Sequence, residues 1–354
     1  MATFSSTMKP IPKSPEFEAL IDLSARVGAN SAWVQGAGGN TSIKEENTLW
    51  IKASGMWLMN AKQQDIMVPV ALDALHDALQ RGDPLTEKAQ HFVREELNPL
   101  GLRPSIETTV HALMPQKIVV HVHCVETIAL AVAEDAESLV HIRLAGFRHA
   151  FIPYARPGLP LARAIVERLK DGTDVLVLGN HGLVVAADRV ADAEQLLGKV
   201  TDALRSNPRP APIPNLAELE RLAADSVYQL PYDPALHGIG TDPSSFRCAA
   251  EGSLYPDHVI FLGSGIRIAR SNETPLPDPS TCPLLVFPGK GVLVARDASA
   301  GALAMARCLA DVTSRIPPDT RLRVLTNDEH AELLGWDAEK YRQALNAGGQ
   351  AVKS

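Results

Sequence analysis

The run Val119-Val120-His121-Val122-His123-Cys124 constrains the fold more than any other stretch of the chain. Its β-branched residues predict an extended strand, and its valines argue against an ordinary solvated sheet face. Side chains two apart leave a strand on the same face, so His121 and His123 point one way, close enough to share one cation. A third histidine follows a second apolar run, Val175 to Leu178, in the turn Asn180-His181-Gly182. Two histidines from one strand and a third from a distant turn meet the three-ligand count of a catalytic zinc site and leave one position open.

A carboxylate stands upstream. Pro104-Ser105 predicts the start of a helix carrying Glu107 and His111, which at i and i+4 share a face. That face either points at the metal, with Glu107 as ligand or base, or forms a surface Glu–His pair. The nearby strand histidines favour the site.

Ahead of this lies a helix opened by Ser14 as N-cap, Pro15 at the first helical position and Glu16 in the first turn. The glycine-dense loop Gln35-Gly36-Ala37-Gly38-Gly39-Asn40-Thr41-Ser42 leads into a predicted hairpin, Thr41 to Lys44 and Thr48 to Lys52. Backbone N–H groups beside Asn40, Thr41 and Ser42 can cradle a phosphate or carboxylate, or the loop is simply a tight turn. It lacks the Lys-Ser/Thr of a P-loop and opens no helix after a strand, which excludes a nucleotide reading. Lys52-Ala53-Ser54-Gly55 adds a cation and a hydroxyl at a second turn. Lys52 taken alone reads equally as a solvated strand end.

Residues 65 to 100 read as helices and loops. Pro208-Arg209-Pro210-Ala211-Pro212-Ile213-Pro214 carries proline at alternate positions and must be extended. It divides the chain into a unit at 10–206, a linker at 207–215 and a smaller α/β unit at 216–354. In the latter, His258 to Leu262, Leu284 to Phe287 and Gly291 to Arg296 read as strands, and Ser299 to Ser314 as a helix.

At 354 residues the chain is long enough for two cores. Its formal net charge of −7 is dispersed, so no nucleic-acid surface is expected. No apolar run reaches the roughly 20 residues that span a bilayer, and Met1 to Pro10 has no signal-peptide core. Cys124, Cys248, Cys282 and Cys308 lie far apart without CxxC spacing, which predicts reduced thiols and a cytoplasmic protein.

The motifs Gly38-Gly39-Asn40-Thr41-Ser42, Lys52-Ala53-Ser54-Gly55, Ser105-Ile106-Glu107 with His111, His121-Val122-His123, Pro153-Tyr154 with Pro157-Gly158, and Asn180-His181-Gly182 occur in one order over roughly residues 15 to 205. In this the chain resembles the class II aldolase/adducin family, which includes fuculose- and rhamnulose-phosphate aldolases. The resemblance implies a three-layer α/β/α domain around a mainly antiparallel sheet, usually in a homotetramer. It implies zinc (or manganese or cobalt) on His121, His123 and His181, with Glu107 as catalytic acid/base. Gly39, Asn40, Ser54, Gly55 and Ser105 would line the phosphate or carboxylate pocket, to which the loop reading adds Thr41 and Lys52. The implied activity is that of a lyase of carbohydrate metabolism: the metal stabilises an enediolate or enolate while a C–C bond breaks or forms in a ketose phosphate or related hydroxy-oxo acid. Same-fold epimerases, dehydratases and oxo-acid decarboxylases, acting on a sugar phosphate or sugar acid, are the first alternative; a non-catalytic adducin-like binding module is the second. Ile106 stands where fuculose-phosphate aldolase has a serine, and the tyrosine that enzyme borrows from a neighbouring subunit has no counterpart between His123 and Pro153. The stretch Gly252-Ser253-Leu254-Tyr255-Pro256-Asp257-His258-Val259 resembles one following the aldolase part of longer rhamnulose-phosphate aldolase/dehydrogenase fusions.

Overall fold

In the computed structural model Ser14 caps the first helix, α1 (Pro15–Ala29), its hydroxyl accepting from the Phe17 N–H at 3.0 Å. The structure describes residues 14–271, 276–279 and 282–336. Residues 1–10, and the outer ends of the units expected at 10–206 and 216–354, lie outside the described residues.

The first part of the chain runs β1 (Asn40–Glu45), β2 (Thr48–Lys52), β3 (Met67–Ala71), α2 (Leu72–Gln80), α3 (Thr108–Leu113), β4 (Ile118–Val122), α4 (Val125–Ala131), α5 (Ala136–Arg143), β5 (His149–Ile152), α6 (Leu159–Arg168), β6 (Val175–Leu178), β7 (Gly182–Ala187) and α7 (Val190–Leu204). The strands form one sheet in the order β3-β2-β1-β4-β7-β6-β5, antiparallel throughout except for the parallel pair β5–β6. Alternation along β4 builds the layers. Ile118, Val120 and Val122 join Leu20, Leu23 and Val27 of α1 and Leu197 and Val200 of α7. Val119 faces the other way, into a cluster with Val110 of α3 and Leu161 and Ile165 of α6. Helices therefore cover both faces, as the buried strands require.

The sheet corrects one expectation. Met67–Ala71, within the stretch read as helices and loops, is a strand paired with β2. Pro69 hides the strand signal, and it is tolerated because β3 is the edge of the sheet.

The second part comprises α8 (Leu216–Ala223), β8 (Tyr228–Gln229), α9 (Gly238–Thr241), α10 (Pro243–Glu251), α11 (Pro256–Leu262), β9 (Arg267–Ile268), β10 (Leu284–Phe287), β11 (Gly291–Ala295), α12 (Ala300–Thr313) and α13 (Asn327–Gly335). Its sheet runs β8-β11-β10-β9. His258 to Leu262, expected as a strand, is instead part of α11. Pro256 takes the first helical position after extended Tyr255, and the run is apolar because it is buried, which helices and strands share.

The two parts share a core. Val125, Ile128, Ala129 and Val132, from α4 and its C-cap, lie in one apolar cluster with Leu254, Tyr255, Met305, Leu309 and Val312. Arg323 N donates to Val132 O at 2.8 Å, and Ala133 bridges Leu322. Arg209, in the proline-rich stretch, donates to Asp242 Oδ2 and Thr313 O, each at 2.8 Å, and also to Ile316 O. Among the described residues no two cysteines form a disulfide. Among the described residues no helix is long and apolar enough to cross a membrane.

Candidate metal centre

Glu107, His121, His123 and His181 are all buried, and one donor atom of each lies within 4.8 Å of the other three. His123 Nε2 is 3.1 Å from His121 Nε2. Glu107 Oε2 is 3.3 Å from His121 Nε2, and Glu107 Oε1 is 3.4 Å from His181 Nε2. A tetrahedral cation with bonds of about 2.0–2.1 Å sets neighbouring donors about 3.3 Å apart. The 3.1 Å between the His121 and His123 nitrogens is close to such an edge, and the two Glu107 contacts run to different oxygens of its carboxylate.

The protonation states suit a cation too. His121 Nδ1 donates to Leu183 O at 3.0 Å, which leaves Nε2 as a lone pair in the neutral ring. Burial pushes the His121 and His181 rings down, His181 to about 3, against the pull of Glu107. Burial pushes the Glu107 carboxyl up, but attraction to His121, His181 and His123 and a hydrogen bond from Asn40 outweigh it and hold it at about 2. At neutral pH the His121 and His181 rings are therefore neutral, the form in which an imidazole ligates metal. Glu107 Oε1 accepts no hydrogen bond among the described residues. The cluster is consistent with a divalent metal site.

The strand register explains the convergence. Asn40 of β1 pairs directly with His121 of β4, so their side chains share a face. His123 follows the end of β4, and His181 sits in the β6–β7 turn. Before it, Asn180 has φ 53°, a left-handed conformation that asparagine tolerates better than most residues. Asn180 Nδ2 donates to Leu254 O at 2.9 Å and Arg323 O at 2.6 Å, both from the second part of the chain. After it, Gly182 has no room for a side chain: a Cβ would lie 2.4 Å from Val122 O.

Glu107 occupies the N-cap position of α3 rather than its interior, and His111 lies within the helix. His111 reaches Glu107 through Asn40, not by facing the cation. The Ser42 hydroxyl donates to His111 Nδ1 at 2.7 Å, His111 Nε2 donates to Asn40 Oδ1, and Asn40 Nδ2 donates to Glu107 Oε2 at 2.9 Å. Burial pushes the His111 ring down to about 3.

Gly39, Asn40, Lys52, Ser54, Gly55 and Ser105 line one cavity with Glu107, His123 and His181. Asn40 Nδ2 also donates to Ser105 Oγ at 3.1 Å. Lys52 is not a solvated strand end: it is buried, and its Nζ donates to Ala37 O at 2.7 Å and Gly39 O at 2.8 Å, holding the glycine loop. Thr41 does not reach the cavity. It follows Asn40 on the strand and so faces the opposite way, where its Oγ1 meets Ser24 Oγ at 2.7 Å. A cavity of about 450 Å³ adjoins the first, sharing Ser54, Ser105 and Ile106 and extending to Arg103 and Trp336.

The family model for the class II aldolase and adducin N-terminal domain matches residues 18–206. The chain belongs to this family. Among relatives, it is 28% identical over 182 residues to "Uncharacterized oxidoreductase YuxG" of Bacillus subtilis, covering 47% of this chain and 26% of that protein. The chain thus spans about a quarter of that curated relative. Similar solved structures include the N-terminal class II aldolase domain of a conserved protein from Thermoplasma acidophilum (24% identity, TM-score 0.47, 57% of this chain and 98% of that one). Another is the L-fuculose-1-phosphate aldolase of Thermus thermophilus (17% identity, TM-score 0.36, 53% and 91%).

The site also takes residues from beyond the matched segment. Asp257 of α11 is buried, lines the cavity, and places Oδ2 2.9 Å from His123 Nδ1. The resemblance of residues 252–259 to a known stretch draws attention to the segment, but no periodicity singles out Asp257. Pro157 and Pro256 also line the cavity.

Proposed function

We propose that the chain is a metal-dependent, zinc-type class II aldolase that cleaves or forms a C–C bond in a ketose phosphate or a related hydroxy-oxo acid. The observation that carries this reading is the buried convergence of Glu107 with the rings of His121, His123 and His181, of which Glu107, His123 and His181 line a cavity. His121, His123 and His181 would hold the cation, with Zn2+ favoured over Mn2+ or Co2+ by the nitrogen-rich donor set. A divalent cation bound there supplies Lewis acidity toward the substrate's carbonyl and neighbouring hydroxyl, an effect worth several kcal/mol.

The protein supplies the rest. Glu107, ionised and oriented by Asn40, would move the proton: on cleavage it accepts the proton released from the substrate's hydroxyl as the C–C bond breaks and delivers it to the carbon left behind, and it runs the reverse in synthesis. Such a role typically contributes about 10²–10⁴-fold. Gly39, Asn40, Ser54, Gly55 and Ser105 bind the anionic end of the substrate, and Lys52 keeps the loop in shape. Burial of the whole cluster excludes bulk water from the proton transfer. We further propose a first unit at 10–206, a linker at 207–215 and a second unit at 216–354, and a homotetramer acting in the cytoplasm, the assembly to be checked by light scattering.

The test is retro-aldol cleavage of a panel of ketose phosphates and hydroxy-oxo acids by the full chain, before and after chelation. The expected result is aldehyde release that stops on metal removal and returns with Zn2+. Activity that survives complete metal removal overturns the mechanism. Carbon dioxide release, or isomer exchange without a new aldehyde, replaces the aldolase with a same-fold decarboxylase or epimerase.

A further inference from the structure

The second part of the chain reaches the metal cluster at two separate points. At the first, Asp257 Oδ2 stands 2.9 Å from His123 Nδ1, with both side chains buried. At the second, Asn180, the neighbour of His181, donates to Leu254 O at 2.9 Å. Leu254 lies three residues before Asp257, so the segment that carries the carboxylate is fastened to the turn that carries a ligand. Asp257 and Leu254 both lie outside the segment the family model matches.

The His123 ring has two nitrogens with different neighbours. Nε2 faces His121 Nε2 at 3.1 Å, inside the donor cluster, whereas Nδ1 faces Asp257. A carboxylate beside Nδ1 favours the tautomer that is protonated there, and that tautomer leaves a lone pair on Nε2. Metal-bound histidines commonly use such an outer acceptor to fix ring orientation and raise ligand basicity. His121 has a backbone carbonyl in the same role, Leu183 O at 3.0 Å. His121 thus has an acceptor behind it from the sheet, and His123 has a buried carboxylate from α11 at ion-pair distance.

We infer that Asp257 is a positioning residue of the metal centre, supplied by the second part of the same chain, which holds His123 with Nε2 directed at the cation. The inference rests on the metal-site reading given above. Through this contact and the Asn180 clasp, the packing of the second part against α4 sets metal affinity in the first.

The experiment measures Zn2+ affinity of the full chain by competition with a chromophoric chelator. It compares the native protein, His181→Ala as ligand control, and Asp257→Asn, Asp257→Ala and Asp257→Glu. Asp257→Asn keeps the shape of the side chain and guards against loss of folding, which circular dichroism of each apo-protein monitors. The native chain is expected to bind one Zn2+. Asp257→Asn and Asp257→Ala should weaken binding by about 10- to 100-fold, and Asp257→Glu should recover part of it. The absorption bands of Co2+ should keep their energies in Asp257→Asn, since no ligand is lost. Two-bond 15N correlation of the His123 ring, assigned with His123→Gln, should show Nδ1 protonated in the native apo-protein and a mixture of tautomers in Asp257→Asn. Native protein that binds no metal defeats the metal-site reading and this inference with it. Native binding with Asp257→Asn unchanged within twofold overturns the inference alone. A loss in Asp257→Asn as large as that in His181→Ala, with shifted Co2+ bands, also overturns it, because Asp257 would then be a ligand.

Discussion

Asn40 Nδ2 lies 2.9 Å from Glu107 Oε2, and the same amide's oxygen is held by His111 Nε2. The amide cannot flip without turning its oxygen toward a carboxylate and its nitrogen toward a ring N–H. Glu107 is thereby fixed against the histidines rather than merely close to them.

Replacing Asn40 by alanine should therefore cost activity beyond stability. The variant leaves Glu107 Oε2 and His111 Nε2 without these buried partners, a penalty of about 1–3 kcal/mol. The expected outcome is a fall in kcat of about 10- to 100-fold with a smaller change in KM. Steady-state kinetics paired with urea denaturation separates the two effects. An unchanged kcat contradicts the orienting role.

Glu107→Gln keeps shape and removes the base. With three imidazoles still in place, the variant should retain bound zinc while turnover drops by about 10²–10⁴-fold. Zinc analysis of the purified variant alongside single-turnover kinetics checks this. Retention of full activity excludes Glu107 as the proton carrier.

Metal should also act on stability, because an ion that binds only the folded chain adds RT ln(1 + [L]/Kd). At a thousandfold excess over Kd this is about 4 kcal/mol. Thermal melts at increasing free Zn2+ should climb steadily, and the climb should vanish in His121→Ala.

Acid should unfold the apo-protein early. Burial pushes His111 and His181 down to about 3 and His258 to about 4, against 6.5 for an unconstrained ring. Between those values the unfolded chain binds more protons than the folded one, so stability falls as pH drops below 6.5 and keeps falling to about 3–4. Each ring costs on the order of 1–2 kcal/mol by pH 5. Urea midpoints measured from pH 7 to pH 5 should decline accordingly, and a flat profile counts against neutral buried histidines.

Arg209 offers a test at the proline-rich stretch. Its guanidinium sits between Asp242 Oδ2, Ser245 Oγ at 3.2 Å and the carbonyls of Thr313 and Ile316. Arg209→Ala leaves the mostly buried Asp242 without its cation and should cost about 3 kcal/mol. A loss near zero in chemical denaturation means that the stretch is a loose tether.

Much of the centre is legible in the sequence because its constraints are local. Period-two alternation puts His121 and His123 together, and the apolar run before Asn180 announces a strand end. The fold class follows from the same motifs. Thr41 falls outside the cavity because nearness in a motif is not nearness in space, and alternation sends it away from Asn40. The burial of Lys52 stays hidden because nothing in the sequence shows that two loop carbonyls await its ammonium. Met67–Ala71 is masked by a proline that only an edge strand accepts. Asp257 is beyond reach for a different reason: its contact with His123 depends on how α11 docks near α4, which no periodicity encodes.

The tripeptide Asn180-His181-Gly182 answers three unrelated demands in adjacent places: handedness and anchorage at the first, a lone pair at the second, bare clearance at the third. No single substitute satisfies two of them. Each position is vetoed on its own account, so drift at one offers no relief at the others. A short string of letters can thus persist as the imprint of geometry, with chemistry dictating only its middle member.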